Sequence, residues 1–363
     1  MTKNLVVLAL CAGIFTAGSS QATPIYSIVD LGTLGGSQSN AAAINNNGKV
    51  VGYSYTAGNT PHAFLYSRGA MSDLGTLSGS QSYAAAINDN GQVAGNSHTA
   101  ADPGVPRAFL YSNGMMSDIG TLGGSSGVGK GINDIGQVVG YSETASGSTH
   151  AFLSNNVTMS DIGNLGGAYT VALDINNNGQ VVGYSETAGI IFDYHAFLYS
   201  SGVMSDLGTL GGPQSLARAI NDSGQVVGDS ILAGVGGGRH AFLYSNGAMS
   251  DLGTLGGVSS ALGINNSGQV VGFSDASTAG GAQHAFLYSD GFMIDLNSLL
   301  PSDSGWILSE ATGINDYGQI TGNGTFNGLT RAYLLSPVPE PSTWAMLLFG
   351  LVLLGVVVKR RRE

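Results

Sequence analysis

A block of the form AINDSGQVVGDS…RHAFLYSNGAMSDLGTLGG returns seven times along the chain, about every 44 residues. Repetition at that period constrains the fold more than any local motif, because units this small cannot bury a core alone and must stack on their neighbours. An Ile-Asn step begins at Ile44, Ile87, Ile132, Ile175, Ile220, Ile264 and Ile314. The aromatic of the HAFLYS step falls at Phe64, Phe109, Phe152, Phe197, Phe242, Phe286 and Tyr333. The carboxylate of the SDLG step falls at Asp30, Asp73, Asp118, Asp161, Asp206, Asp251 and Asp295. Seven of each leaves no partial unit over.

Each unit reads as four short strands. In the block from Ser215, SLARAIN is the first strand and GQVVGDS, after the Asp222-Ser223-Gly224 turn, the second. HAFLYS is the third, and MSDLGT, after Asn246-Gly247, the fourth. Asn and Gly between β-branched and aromatic runs are hairpin residues, since both tolerate the positive φ such turns need. The runs are apolar throughout rather than alternating, as expected of sheets covered on both faces. Four strands in about 44 residues is the size of a propeller blade. The alternative is an open β-solenoid, and the ends of the repeat array favour a ring. The array opens on a fourth strand without partners (Tyr26 to Leu31) and closes on a third strand without a fourth. The expected fold is therefore all-β: a seven-bladed β-propeller of four-stranded blades over residues 23–337, closed by the N-terminal strand.

The ends carry addresses. Lys3, the apolar run Leu5 to Phe15 and the small-x-small site Ser20-Gln21-Ala22 have the order of a secretory signal peptide, residues 1–22. Cys11, the chain's single cysteine, lies inside it, so the exported part has no thiol chemistry. At the other end, Val338, Pro339, Glu340 and Pro341 precede an apolar run over 344–358 and the bases Lys359, Arg360, Arg361 and Arg362. That run predicts a short transmembrane helix with its basic flank in the cytoplasm. The three parts together, residues 338–363, resemble the PEP-CTERM sorting signal. The resemblance implies an exosortase-type membrane protease as partner, a transient inner-membrane anchor in a Gram-negative bacterium, and delivery to the cell surface or matrix. Without its ends the chain keeps seven Lys and Arg against 21 Asp and Glu, a net charge of −14. So acidic a body does not bind nucleic acid by counterion release.

The HAFLYS blocks, with the DLNSLLPSDSGW step from Asp295 to Trp306, resemble the bacterial extracellular HAF-repeat proteins, which implies a secreted repeat protein of no established activity.

Candidate chemistry is sparse. Histidine precedes Ala-Phe at His62, His150, His195, His240 and His284, and Arg107 and Arg331 replace it in two units. Equivalent positions on separate blades are spread around a ring, and Arg cannot ligate a metal as imidazole does. These side chains are therefore expected to anchor the third strand to the neighbouring SDLG carboxylate. His98 stands apart, in a loop. Steps such as Asn88-Asp89-Asn90-Gly91 raise the possibility of calcium but have too few carboxylates for a calcium loop, and no cofactor or metal is expected. The chain shows little asymmetry and no catalytic set outside the repeat, which argues against an enzyme.

Variation concentrates in the loops between second and third strands: Ala57–Pro61, Ala100–Pro106, Ala145–Thr149, Ala188–Tyr194, Ala233–Arg239 and Ala276–Gln283. Such loops on a rigid scaffold usually form binding surfaces. Ile190, Ile191, Phe192 and Tyr194, with Trp306 in the enlarged last connection, are the candidate contacts. The expected function is a secreted, non-catalytic protein that binds exopolysaccharide or a surface protein through this face. A glycan or lactone hydrolase or lyase on the same face, or a passive matrix protein, is the alternative.

Overall fold

The computed structural model describes residues 26–338, apart from 156–157, 190–192, 235–237 and 278–280. The signal peptide, the helix expected over 344–358, the tail residues Pro339, Glu340, Pro341 and Arg360 to Arg362, and Ile190, Ile191 and Phe192 lie outside the described residues. Among the described residues no helix is long and apolar enough to cross a membrane.

Seven four-stranded antiparallel sheets follow in sequence. The first comprises Gly35–Ile44, Val50–Thr56, Pro61–Ser67 and Ala70–Asp73, ordered from the channel outward. The seventh holds Trp306–Ile314, Ile320–Phe326 and Leu329–Pro337 and takes its outer strand, Tyr26–Asp30, from the other end of the chain. Tyr26 lies opposite Pro337 and Asp30 opposite Tyr333. The expected seven-bladed ring is present, closed as the unpartnered end strands require.

Side-chain alternation explains the continuous apolar runs. Consecutive residues of a strand point to opposite faces, and here each face meets a different blade. Val50 and Phe64 pack with Ala332 and Leu334 of the last blade, while Val51 and Ala63 pack with Ala84 and Phe109 of the second. The HAFLYS aromatic is 0% exposed in all seven blades. Burying such a ring is worth about 1.5–3 kcal/mol.

The glycine of VVG answers a separate demand. In every blade the inner strand carries a bulge, an extra residue opposite this glycine. A Cβ at Gly52, Gly95, Gly140, Gly183, Gly228, Gly272 or Gly322 would lie 1.9–2.1 Å from a carbonyl oxygen of that inner strand. No other residue fits.

The expected His–Asp anchor is made in each blade that has the histidine. Nδ1 of His62, His150, His195, His240 and His284 lies 2.6–2.9 Å from the SDLG carboxylate. Arg107 Nε takes the same place on Asp118 at 2.9 Å, and Arg331 Nε lies 3.7 Å from Asp30. The other carboxylate oxygen accepts a backbone N–H two residues on, as in Gly75 to Asp73 at 2.7 Å. One aspartate thus fastens the third strand and shapes the turn into the next blade.

Candidate functional site

The Asn-Asp-x-Gly turns gather at one end of the central channel, where they ring a polar cavity of about 170 Å³. Each turn's first asparagine is 3–4% exposed and donates Nδ2 to the equivalent carbonyl of the next blade. The series runs Asn45 to Asn88, Asn133, Asn176, Asn221, Asn265 and Asn315 at 2.9–3.3 Å. Asn315 then donates to Asn45 at 3.0 Å and completes the circle. A second circle lies beside it, in which the next residue's backbone N–H donates to the following blade's Asp or Asn Oδ1 at 2.8–2.9 Å. Its members are Asn46, Asp89, Asp134, Asn177, Asp222, Asn266 and Asp316. Asn46 Nδ2 bridges Asp89 and Asp316, and Asn177 Nδ2 bridges Asp134 and Asp222, each amide separating two carboxylates. Seven is odd, so one like pair is unavoidable; it falls at Asp89 and Asp134. These carboxylates are engaged in holding blades together. Among the described residues no group of three or more His, Cys, Asp or Glu is placed to hold a metal ion.

Above this floor the walls are built by the bulges. The extra residue of each inner strand is re-aimed, as bulged residues are, and here it lines the channel. The seven are Ala42, Ala85, Lys130, Leu173, Arg218, Leu262 and Thr312. The repeat does not hold at this position, nor at the next, where Asp174 stands among Ala and Gly. The expectation of little asymmetry is therefore corrected, because the channel carries private charges.

Asp174 accepts N–H groups from Ile175 at 2.9 Å and Ile220 at 3.0 Å. Loss of water still pushes its carboxyl up to about 7, and the Asp222 charge adds to that rise. Arg218 Nε donates to Asp229 Oδ1 at 2.8 Å. Asp229 is 0% exposed and also binds Arg239 Nη1 and the Ser260 hydroxyl. Lys130 makes no hydrogen bond or ion pair with any described residue; burial and then the Arg218 charge lower its pKa.

The channel widens toward the variable loops. Tyr53 pairs with Asn40, and Asn96 with Tyr83, three ladder steps further from the floor than Ile44 and Val50. There a cavity of about 550 Å³ is lined by Tyr53, Tyr83, Asn96, Lys130, Arg218 and Thr312, with alanines and leucines between. Tyr53 and Tyr83 meet edge to face, centroids 5.1 Å apart. On the fourth blade Tyr169, Tyr184 and Tyr194 pack pairwise at 5.6–6.2 Å. Burial raises the phenol pKa of Tyr53, Tyr83 and Tyr184, so all three stay protonated; Tyr83 donates to Gln81 Oε1 at 3.0 Å and Tyr184 is hydrogen-bonded to Tyr169.

Of the residues expected to bind a partner, Tyr194 joins this tyrosine cluster. Trp306 does not lie open to a ligand: it is 9% exposed, stacked on Phe326 at 5.0 Å and edge-on to Tyr333. His98 ends a strand, Val93–His98, rather than occupying a loop, and its Nδ1 is buried without a hydrogen-bond partner. The channel charges were missed because the bulge that exposes them is a matter of register. The available signal was variability two residues before the Ile-Asn step, at a place where the rest of the repeat is nearly constant.

The family model for a protein of unknown function, DUF3466, matches residues 37–122 and 211–332, together more than half of the chain. The PEP-CTERM protein-sorting motif matches residues 337–362. No curated protein matches the chain. Among solved structures, the β-propeller domain of the Trilobed protease from Pyrococcus furiosus has a TM-score of 0.54 at 8% identity, covering 84% of this chain and 99% of that one. A puromycin-hydrolyzing peptidase from Mycobacterium tuberculosis has a TM-score of 0.50 at 8% identity, with 87% and 55% covered. TolB from Acinetobacter baumannii has a TM-score of 0.47 at 13% identity, with 80% and 64% covered. The chain spans less than two thirds of the last two proteins. At these identities the likeness shows the propeller fold alone.

Proposed function

We propose that this chain, which belongs to the DUF3466 family of proteins of unknown function, is an exported, non-catalytic propeller that holds a saccharide chain at the tyrosine-lined mouth of its channel. The sorting motif implies processing by exosortase, a membrane protease, and a cell-surface or extracellular location. Within the proposal, the apolar tail is a transient inner-membrane anchor and the likeness of the HAFLYS blocks to HAF-repeat proteins reflects a shared surface role.

The observation that carries this reading is the widening of the channel into a cavity lined by Tyr53 and Tyr83, with the Tyr169, Tyr184 and Tyr194 cluster standing on the fourth blade. Tyrosine rings offer sugars a flat apolar face and a hydroxyl donor at low entropic cost. The cavity lies in the range of small-ligand sites.

The test is calorimetry of the full chain, kept in mild detergent, with exopolysaccharide from the producing cells. Saturable binding is expected, weakened about tenfold (1.4 kcal/mol) by Tyr184→Ala. Absence of binding overturns the reading, and release of new reducing ends overturns its non-catalytic part.

A further inference from the structure

We infer that the saccharide taken by this channel is acidic, with a sugar carboxylate seated against Lys130 and Arg218. The inference rests on the saccharide reading and adds the charge of the ligand. A body of net charge −14 has seven basic residues, so where they stand is informative. Arg107 and Arg331 are spent on strand-anchoring carboxylates. Two others, Lys130 and Arg218, stand on bulges that face the cavity.

Their surroundings do not neutralise them. Asp229 is shared between Arg218 and Arg239, so one negative charge faces two positive ones. Lys130 adds a third without a counter-charge of its own and lies close enough to Arg218 to be repelled by it. Asp174 lines the narrower part of the channel with Lys130 and Arg218, and with its carboxyl pushed up to about 7 the local sum is an excess of two positive charges when it is protonated and of one when it is ionised. Glu310, on the seventh blade, is held by Asn323 Nδ2 at 2.8 Å and does not line the cavity. The Asp belt lies at the far end of the channel. Holding an ammonium in a desolvated wall beside a guanidinium is costly, and an incoming carboxylate relieves that cost through charge-assisted hydrogen bonds. Asn96 makes no side-chain hydrogen bond with any described residue, and Tyr53 places a phenol there for sugar hydroxyls, while the Tyr83 hydroxyl, which donates to Gln81 Oε1 at 3.0 Å, can still accept one.

The experiment titrates the full chain with a galacturonate tetramer, its neutral galactose counterpart and inorganic phosphate. The uronate is expected to bind at least tenfold tighter than the neutral tetramer and than phosphate. Lys130→Met is expected to remove that preference without lowering the thermal midpoint, and Lys130→Arg to retain it. Equal binding of both tetramers, or a preference that survives Lys130→Met, overturns the charge assignment and leaves the saccharide reading standing. Phosphate binding as tight as uronate makes this a simple anion site and overturns the sugar-acid assignment. Failure of both tetramers to bind overturns the saccharide reading and this inference with it.

Discussion

Asn315 donates its side-chain amide to the backbone carbonyl of Asn45 at 3.0 Å, a bond between the last and first blades across 270 positions of sequence. Six equivalent bonds complete the circle, so the ring is fastened twice: at its rim by the N-terminal strand and at its floor by asparagine side chains. Each such asparagine also stabilises its own turn. Asn221, for instance, accepts the N–H groups of Ser223 and Gln225 on Oδ1 and donates to Gln225 Oε1.

Replacing one member of the circle therefore orphans several buried groups at once. Asn221→Ala is expected to lower stability by about 2–3 kcal/mol, since an unsatisfied buried polar group costs about 1–3 kcal/mol. Chemical denaturation against wild type checks this. A change under half a kilocalorie would mean that the circle is incidental to the fold.

The buried aromatics should dominate stability. Phe197→Ala opens a cavity between blades at a 0% exposed site and is expected to cost about 3–5 kcal/mol. Phe292→Ala, at a site 72% exposed, is expected to stay within about 0.5 kcal/mol. The pair of denaturation curves separates burial from mere aromatic content.

The His–Asp anchors are half-open to water and should contribute little. His195 and Asp206 have side chains 22% and 42% exposed. His195→Ala is expected to cost less than about 1 kcal/mol, as other exposed ion pairs do. His195→Arg should be nearly neutral, because Arg107 already makes the equivalent bond to Asp118. A large loss in His195→Arg would show that imidazole has a role beyond holding the strand.

Asp174 makes stability depend on pH in a direction opposite to that of a paired carboxylate. Its folded pKa, about 7, lies above the ordinary 3.8. Between those values the folded state holds a proton that the unfolded state has lost, so this residue's contribution to stability falls as pH rises from about 4 to about 7. Asp174→Asn is expected to remove that slope. Comparing denaturation midpoints of the two proteins at pH 4.5 and 7.5 tests it: the difference between variant and wild type must grow toward pH 7.5.

Much of the architecture was legible because it is written in repeats. The count of blades, the Tyr26 closing strand, the apolar runs of strands buried on both faces and the histidine–aspartate anchor all follow from period and alternation. The site was less legible, for two physical reasons. Lys130, Arg218 and Asp174 face the channel through a bulge, and a shift of register by one residue is invisible in a hydrophobic pattern. The asparagine circle depends on side chains reaching a neighbouring unit, which the reading of one unit as a hairpin does not reveal. Trp306 was singled out for its rarity, but Phe326 and Tyr333 claim it for the last blade's core.

The central claim is that a saccharide enters the channel from the side of the variable loops, and hydrogen–deuterium exchange of the full chain with and without the acidic polysaccharide locates it most directly. Protection is expected at the bulged inner strands around Lys130 and Arg218 and at the strands bearing Tyr83 and Tyr184. Protection confined to the outer strands, such as Ala70–Asp73 and Ala248–Asp251, would place the ligand on the rim and contradict it.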